Sequence, residues 1–236
     1  MSARGALQGL LTLALMTATA SAVAASFGLS PLGLSIAANE LSGSVLVTNT
    51  GTDEVVIQAK PYAWTQNGKD ARDDTQALIV NPPIFKLAAG SQQLVRVASR
   101  GAPPREVERA YRVVFSEVPV ASSTPAPGFR ISIAMDIPLF VEPMVRGAPQ
   151  VTWHLEQIGD RSRLVAENSG GRHLRLREVQ VLDGARLVDT VARIVVLAKS
   201  SFVIDLPEAA MGARALQLVG NDDDDQRVSV DLPAAR

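Results

Sequence analysis

The side chains of this sequence that are suited to acid–base or metal chemistry are few and widely separated. The 236 residues include two histidines and no cysteine, so thiol catalysis and thiolate metal sites are excluded. His154 lies between Trp153 and Leu155 in an alternating segment, which predicts the polar face of a strand, and His173 follows a glycine turn, which predicts the surface. The sequence contains no local two-histidine motif, G-x-S-x-G elbow, P-loop or dinucleotide fingerprint. We therefore expect no enzymatic activity, no cofactor and no metal.

The acidic run Asn221–Asp225 is the other candidate for metal binding. A cation site needs oxygen atoms that converge on one point, whereas consecutive side chains on a strand alternate in direction. The run is therefore predicted to form the solvated tip of a hairpin.

The segment 1–25 has the three-part layout of a secretory signal peptide. Arg4 gives it a positive start, Leu10–Met16 is an apolar run broken only by Thr12, and Ala22–Ala24 supplies a cleavage site. The apolar run is shorter than an ordinary membrane-spanning helix. We expect a cleaved leader and a soluble periplasmic protein without stable membrane insertion; an uncleaved anchor is the alternative.

Composition restricts the classes of protein to which the chain can belong. Hydrophobic residues make up 47% and aromatic residues 4%, so its packed cores must consist mainly of aliphatic side chains. The formal net charge is −1, and there is no basic stripe or domain of the kind that nucleic-acid-binding proteins carry. Nucleic acid is therefore not an expected partner.

Short alternating segments separated by turn residues predict an all-β protein. Each half of the chain has about seven such segments, the usual number for an immunoglobulin-like β-sandwich. A linker is predicted at 142–149, where Pro143 and Pro149 flank Gly147. We expect two domains, an N-terminal one over 26–143 and a C-terminal one over 144–236.

The run 129–141 is the most distinctive of these segments. Large apolar residues occupy every second position over most of it, which places them on one face of a single long strand. These residues are Phe129, Ile131, Ile133, Met135 and Ile137. The preceding segment, 121–128, is rich in Ser, Pro and Ala and is predicted to be a flexible loop.

Several segments of the first half, taken in order, resemble the periplasmic pilus-assembly chaperones, the PapD-like family. The resemblance is clearest over 27–143 and is carried by Asn49–Gly51, Tyr62–Gln66, Asn81–Gly90, Gln93–Val97, Arg109–Pro119 and Ile137–Pro143. It implies two immunoglobulin-like domains in a boomerang arrangement with a cleft between them. It also implies that the partners are pilin or fimbrial subunits, together with an outer-membrane usher that receives them.

The mechanism that the resemblance implies is strand donation. A subunit of such a pilus lacks its last strand, and the chaperone lends alternating apolar residues of its own long strand to the gap. Phe129, Ile131 and Ile133 are the expected donors, while Met135 and Ile137 are expected to enter the domain's own core. In the alternative interpretation all five belong to an ordinary sandwich core.

The sequence departs from the family at two positions. Well-known members carry an Arg on the first strand and a Lys near the end of the long strand, which together hold the subunit's C-terminal carboxylate. The corresponding positions here are Gly33 and Pro138. Arg112, with Arg109 or Arg130, is a candidate substitute; the alternative is that these arginines are ordinary surface residues.

A different function is also compatible with the missing basic pair. The chain could be an exported two-domain sandwich that acts as a binding or structural module without an assembly role. Such a protein should be a stable monomer with no partner in the periplasm, whereas a chaperone with exposed strands could pair with itself when it has no cargo.

Overall fold

The computed structural model describes residues 27–119, 132–159, 161–210 and 215–233, and its regular elements are strands apart from one short 3₁₀ helix. The first half contains β1 (Phe27–Ser30), β2 (Leu34–Ile36), β3 (Ser42–Asn49), β4 (Val55–Gln66), β5 (Asp70–Asp74), β6 (Leu78–Asn81), β7 (Ile84–Leu87), β8 (Gln92–Ser99), β9 (Arg109–Glu117) and β10 (Ala134–Val141). The second half contains β11 (Val151–Ile158), β12 (Arg161–Asn168), β13 (Leu174–Asp183), β14 (Arg186–Val196), β15 (Ser200–Asp205), the 3₁₀ helix (Glu208–Ala210), β16 (Ala215–Asn221) and β17 (Arg227–Pro233). Within the described ranges there is no helix long and apolar enough to cross a membrane.

The first sandwich is built from two sheets that face each other across an aliphatic core. One sheet has the order β1-β3-β8-β6, and the other has the order β2-β10-β9-β4-β5, with β7 also paired to β4. Alternate residues of both sheets point inward, as the period of a half-buried strand requires. Members of this core that are 0% exposed include Val45, Val95, Val113, Phe115 and Leu139.

The second sandwich has its own core. Its sheets have the orders β11-β12-β15 and β14-β13-β16-β17, and its most deeply buried side chains include Leu164, Leu176, Ile194, Leu218 and Leu232. The expected all-β class with two immunoglobulin-like sandwiches is confirmed. The limits 26–143 and 144–236 stay a prediction, although the first core draws on residues up to Val141 and the second begins at Leu155.

β4 shows how a proline is accommodated inside a sheet. On one side β4 pairs with β9 over Ile57–Ala63. On its other side it pairs first with β7, over Val55–Gln58, and then with β5, over Tyr62–Gln66. Pro61, which has no N–H to donate, falls in the interval where this second partner changes.

A buried asparagine closes the same kind of turn in each domain. The side-chain amide of Asn49 donates to the carbonyl oxygens of Asp53 and Leu87, and its oxygen accepts from the N–H of Gly51. Asn168 likewise donates to the carbonyl of Arg172 and accepts from the N–H of Gly170. Each asparagine thus satisfies backbone groups that the end of a strand leaves without ladder partners.

The two sandwiches are joined by hydrogen bonds from the end of β4 and the turn that follows it. At the tip of the β4–β5 hairpin, the N–H of Gly68 donates to the carbonyl of Ser201, and the carbonyl of Gly68 accepts from Val203. Two residues earlier, buried Gln66 donates to the carbonyl of Val195 and accepts from the N–H of Leu197. Because these bonds reach the backbone of the second sandwich, they fix the position of its strands relative to the first sandwich.

Gly171 allows the backbones of the two domains to approach each other closely, and substitution there should disrupt the joint. A Cβ atom on Gly171 would lie 2.4 Å from the carbonyl oxygen of Glu106 in the first sandwich. Gly171→Ala should therefore force the domains apart locally and reduce stability by a few kcal/mol, about the upper range of single-site effects. Thermal unfolding of the purified protein measures this loss. The matched control is Gly28→Ala on β1, where the nearest atom to the added Cβ would be Cγ2 of Thr50 at 3.9 Å, an ordinary contact; an equally small change at both positions would contradict the prediction.

Candidate functional site

The two edges of β10 are paired unequally. One edge pairs with β9 along the whole strand, but the other pairs with β2 only at Leu139–Val141. Within the part of the chain that the structure describes, the backbone of Ala134–Pro138 therefore has no strand partner on this second edge. Unpaired N–H and C=O groups along a strand are a template for pairing with another extended chain.

Of the predicted donor residues, Ile133 is described, whereas Phe129 and Ile131 lie outside the described residues. Ile133 directly precedes β10. Its carbonyl accepts from the N–H of Glu117 at 3.0 Å, and its half-buried side chain packs against the first core. Ile137 is buried, as expected for a residue that enters the domain's own core, and Met135 is partly buried like Ile133. The donor role itself stays a prediction.

A cleft of about 680 Å³ opens between the sandwiches beside β10. Gly33 and Pro138 line it, and a Cβ atom on Gly33 would lie 3.4 Å from Cγ of Pro138. The two positions at which the resemblance calls for basic residues are therefore neighbours, as a shared carboxylate site would require. Neither carries a charge here, and Leu32 and Leu34 make this part of the wall apolar.

Arg112 lies on the face of β9 that points away from the first core, and its side chain is 15% exposed. Its guanidinium carbon stacks 3.6 Å from the centroid of the Trp64 ring, and its Nη1 lies 3.9 Å from Oδ1 of Asp136. Burial lowers the pKa of Arg112, and the carboxylates of Asp136 and Asp70 only partly oppose this effect. The positive charge of Arg112 is thus incompletely compensated.

The other predicted cleft arginines do not join Arg112 in the structure. Arg109 is three residues away on the same strand and therefore lies on the opposite face, with Tyr111. It is exposed and donates to the carbonyl of Ala102 at 3.5 Å. Arg130 lies outside the described residues.

The opposite wall of the cleft comes from the second sandwich and is rich in arginine. Its members are Arg172, just before β13, Arg175 and Arg177 on β13, and Arg193 on β14. The acidic run reaches the same wall, because the β16–β17 tip brings Asp223 to Arg175 and Asp225 to Arg177. The predicted hairpin tip is confirmed, but it also supplies counter-charges. No group of three acidic or histidine side chains in the described ranges could hold a metal ion.

The prediction that His173 lies on the surface is wrong. Its side chain is 8% exposed, and it pairs with Glu108, which is 2% exposed and belongs to the first sandwich. One oxygen of Glu108 accepts from the backbone N–H of His173 at 2.6 Å and lies 2.7 Å from its Nδ1. The imidazole also stacks on Phe140, with the ring centroids 3.7 Å apart. Sequence spacing gave no signal for this pair, because its members are 65 residues apart.

Comparison with known families gives one match, which covers the first sandwich. Residues 26–145 match the model of the pili and flagellar-assembly chaperone family, PapD N-terminal domain. A search of curated proteins found none that matches the chain.

Solved structures share the whole two-domain fold. A chain of the CsuC–CsuE chaperone–tip adhesion subunit pre-assembly complex from the archaic chaperone-usher Csu pili of Acinetobacter baumannii aligns with a TM-score of 0.72 and 22% identity, over 88% of this chain and 98% of that one. A chain of the Salmonella enterica SafA pilin–SafB chaperone complex aligns with a TM-score of 0.64 and 18% identity, over 88% and 96%. The Pseudomonas aeruginosa chaperone CupB2 aligns with a TM-score of 0.56 and 16% identity, over 88% and 100%.

Proposed function

Because this chain belongs to the PapD-like family of periplasmic pilus-assembly chaperones, we propose that it captures pilus or fimbrial subunits by lending them a strand and delivers them for assembly. The observation that carries the proposal is the second edge of β10, which has no strand partner in the described ranges over Ala134–Pro138. This edge lies at the end of the alternating apolar run and beside the cleft. A subunit that lacks a strand offers the complementary features, an open edge and an empty apolar groove.

Strand donation accounts for both affinity and selectivity. Backbone hydrogen bonds along the open edge are available to any extended partner, whereas the side chains of Phe129, Ile131 and Ile133 would require matching pockets. Burying three large apolar side chains stabilises a complex by about 5–9 kcal/mol before ordering costs. Ile133 is only partly buried against the first core, so part of its side chain is available to a partner.

The subunit's chain end would lie in the cleft, close to Arg112. A guanidinium that is mostly buried and stacked on an indole loses hydration, so an incoming carboxylate would find a poorly solvated positive charge. One hydrogen bond of this charged kind contributes about 1.5–3 kcal/mol. Arg112 is therefore the first-sandwich residue that we assign to the terminal carboxylate in place of Gly33 and Pro138.

Further parts of the proposal concern the route of the protein and its other partners. Residues 1–25 would direct export and be removed, domain limits would fall at 26–143 and 144–236, and an outer-membrane usher would receive the loaded subunit. Without cargo, the open edge of β10 could pair with that of a second copy.

Co-purification from the periplasm tests the function directly. Tagged full-length protein, expressed in its own host, should retain a single species of subunit in a one-to-one complex, which mass spectrometry identifies. The captured protein should have the pattern of a sandwich that lacks one strand. If the periplasmic protein is a monomer that retains no partner under conditions in which the host makes pili, the binding-or-structural-module alternative stands and the chaperone function is overturned.

A further inference from the structure

The arginines of the second-sandwich wall are arranged at an energetic cost. Arg177 on β13 stands directly opposite Arg193 on β14 in the register of the sheet. Like charges in directly opposed positions destabilise a strand pair. Both side chains line the cleft together with Arg175 and Arg172, so the repulsion is concentrated at its surface.

The chain itself neutralises only part of this charge. Asp223 pairs with Arg175, and Asp225 pairs with Arg177. Glu142 also lines the cleft, but it is already engaged by Arg146 and Ser35.

The remaining positive charge is open to a ligand. Within the described residues, neither Arg172 nor Arg193 has an acidic partner, and both are exposed. In the same residues, Nε of Arg177 is buried without an acceptor. On one cleft wall, Arg172 and Arg193 therefore present donors that have no acidic partner in the described ranges.

The facing wall defines where a ligand would lie. Around Gly33 and Pro138 the side chains of this wall are small and uncharged. An extended segment that pairs with the open edge of β10 could therefore pass close to the wall. Such a segment would have the arginine wall on its other side. Arg193 also acts electrostatically on Arg112, whose pKa it helps to lower, so the positive groups of the two domains are near each other.

We propose that Arg172 and Arg193, with Arg175 and Arg177 behind them, form a carboxylate-binding surface for the captured subunit. The inference rests on the proposed function. It gives the second sandwich a binding role of its own, separate from the strand donation of the first sandwich. The carboxylate could be the subunit's C-terminus or an acidic side chain near it. Arginine suits both because its fork of N–H donors matches the two oxygens.

The test measures binding of a synthetic peptide, the last strand of the subunit identified by co-purification, to the mature chaperone by calorimetry at low and moderate salt. Arg172→Gln together with Arg193→Gln should weaken binding about tenfold, the loss expected for a charged hydrogen bond, and should flatten the salt dependence. The matched control is Arg96→Gln with Arg100→Gln, which removes equal charge from exposed residues of the first sandwich that do not line the cleft. Circular dichroism checks that every variant is folded.

Two peptide variants identify the source of the carboxylate. If the C-terminally amidated peptide binds the native protein as weakly as the double variant binds the native peptide, the ligand is the terminal carboxylate. If instead the peptide whose Asp and Glu residues are changed to Asn and Gln shows this weakened binding, the ligand is an acidic side chain. Unchanged affinity of the Arg172/Arg193 variant, or an equal loss in the Arg96/Arg100 control, overturns the inference. Capture of the whole subunit separates this failure from that of the function, because strand donation needs the subunit's apolar groove, which the peptide lacks. If the native protein co-purifies with its subunit while the Arg172/Arg193 variant binds the peptide normally, only the inference fails.

Discussion

Replacing Ile131 and Ile133 together by aspartate is expected to abolish subunit capture while the chaperone remains folded. Each change removes an apolar side chain whose burial is worth about 1.5–3 kcal/mol, and each would bring a charge into an apolar groove. The combined loss exceeds what the backbone hydrogen bonds of an added strand could offset. Co-purification from the periplasm, quantified against the native protein, measures the effect.

The control for this experiment must allow for the position of Ile133 against the first core. Ile131→Asp alone keeps that packing, and Leu187→Asp places the same charge on a 55% exposed strand residue of the second sandwich. Thermal unfolding of the free variants separates lost binding from lost stability. Normal capture by the folded double variant would refute the assignment of the donor strand.

Glu108→Ala is expected to weaken the joint between the domains more than any surface substitution. It leaves the backbone N–H and the imidazole of His173 buried without their acceptor, and breaking a buried pair of this kind costs about 3–5 kcal/mol. The lost bond and the freed Phe140–His173 stack should also broaden the distribution of interdomain angles. Urea unfolding and small-angle scattering measure the two effects.

The chain offers a matched exposed pair for comparison. His154 and Glu156 lie 3.3 Å apart on β11, and both are substantially exposed. Glu156 also pairs with the partly exposed Arg163, and Glu156→Ala should still change stability little, because solvent screens both pairs. Equal effects of Glu108→Ala and Glu156→Ala, or an unchanged scattering profile for Glu108→Ala, would show that the buried pair does not hold the domains.

Most strands could be predicted because their side chains alternate. β3 is an example, because Val45, Val47 and Asn49 are buried and alternate with less buried residues, and a half-buried strand has this period of two in its sequence. β5 could not be predicted in this way, because all of its residues, Asp70–Asp74, are exposed and so leave no alternation. It is held by pairing with β4, which is a tertiary effect.

The site could be predicted only where it depends on local pattern. The alternating run and the neutral residues at Gly33 and Pro138 are visible in the sequence. The arginine wall and the Glu108–His173 pair are not, because each depends on how distant strands meet. Arg177 and Arg193, for example, become neighbours only through the β13–β14 register.

The contacts between the sandwiches decide whether the cleft is shaped when the protein folds or when a subunit binds. Gly68, Gln66 and Glu108 each bind the second domain through hydrogen bonds that reach its backbone, so a motion that changed the angle between the sandwiches would have to break several of them. The cleft therefore takes its shape when the protein folds, and closing it takes no free energy from the later binding of a subunit. The slow step of capture should then be the ordering of the incomplete subunit. The rate of capture should follow the subunit's own tendency to form a compact state.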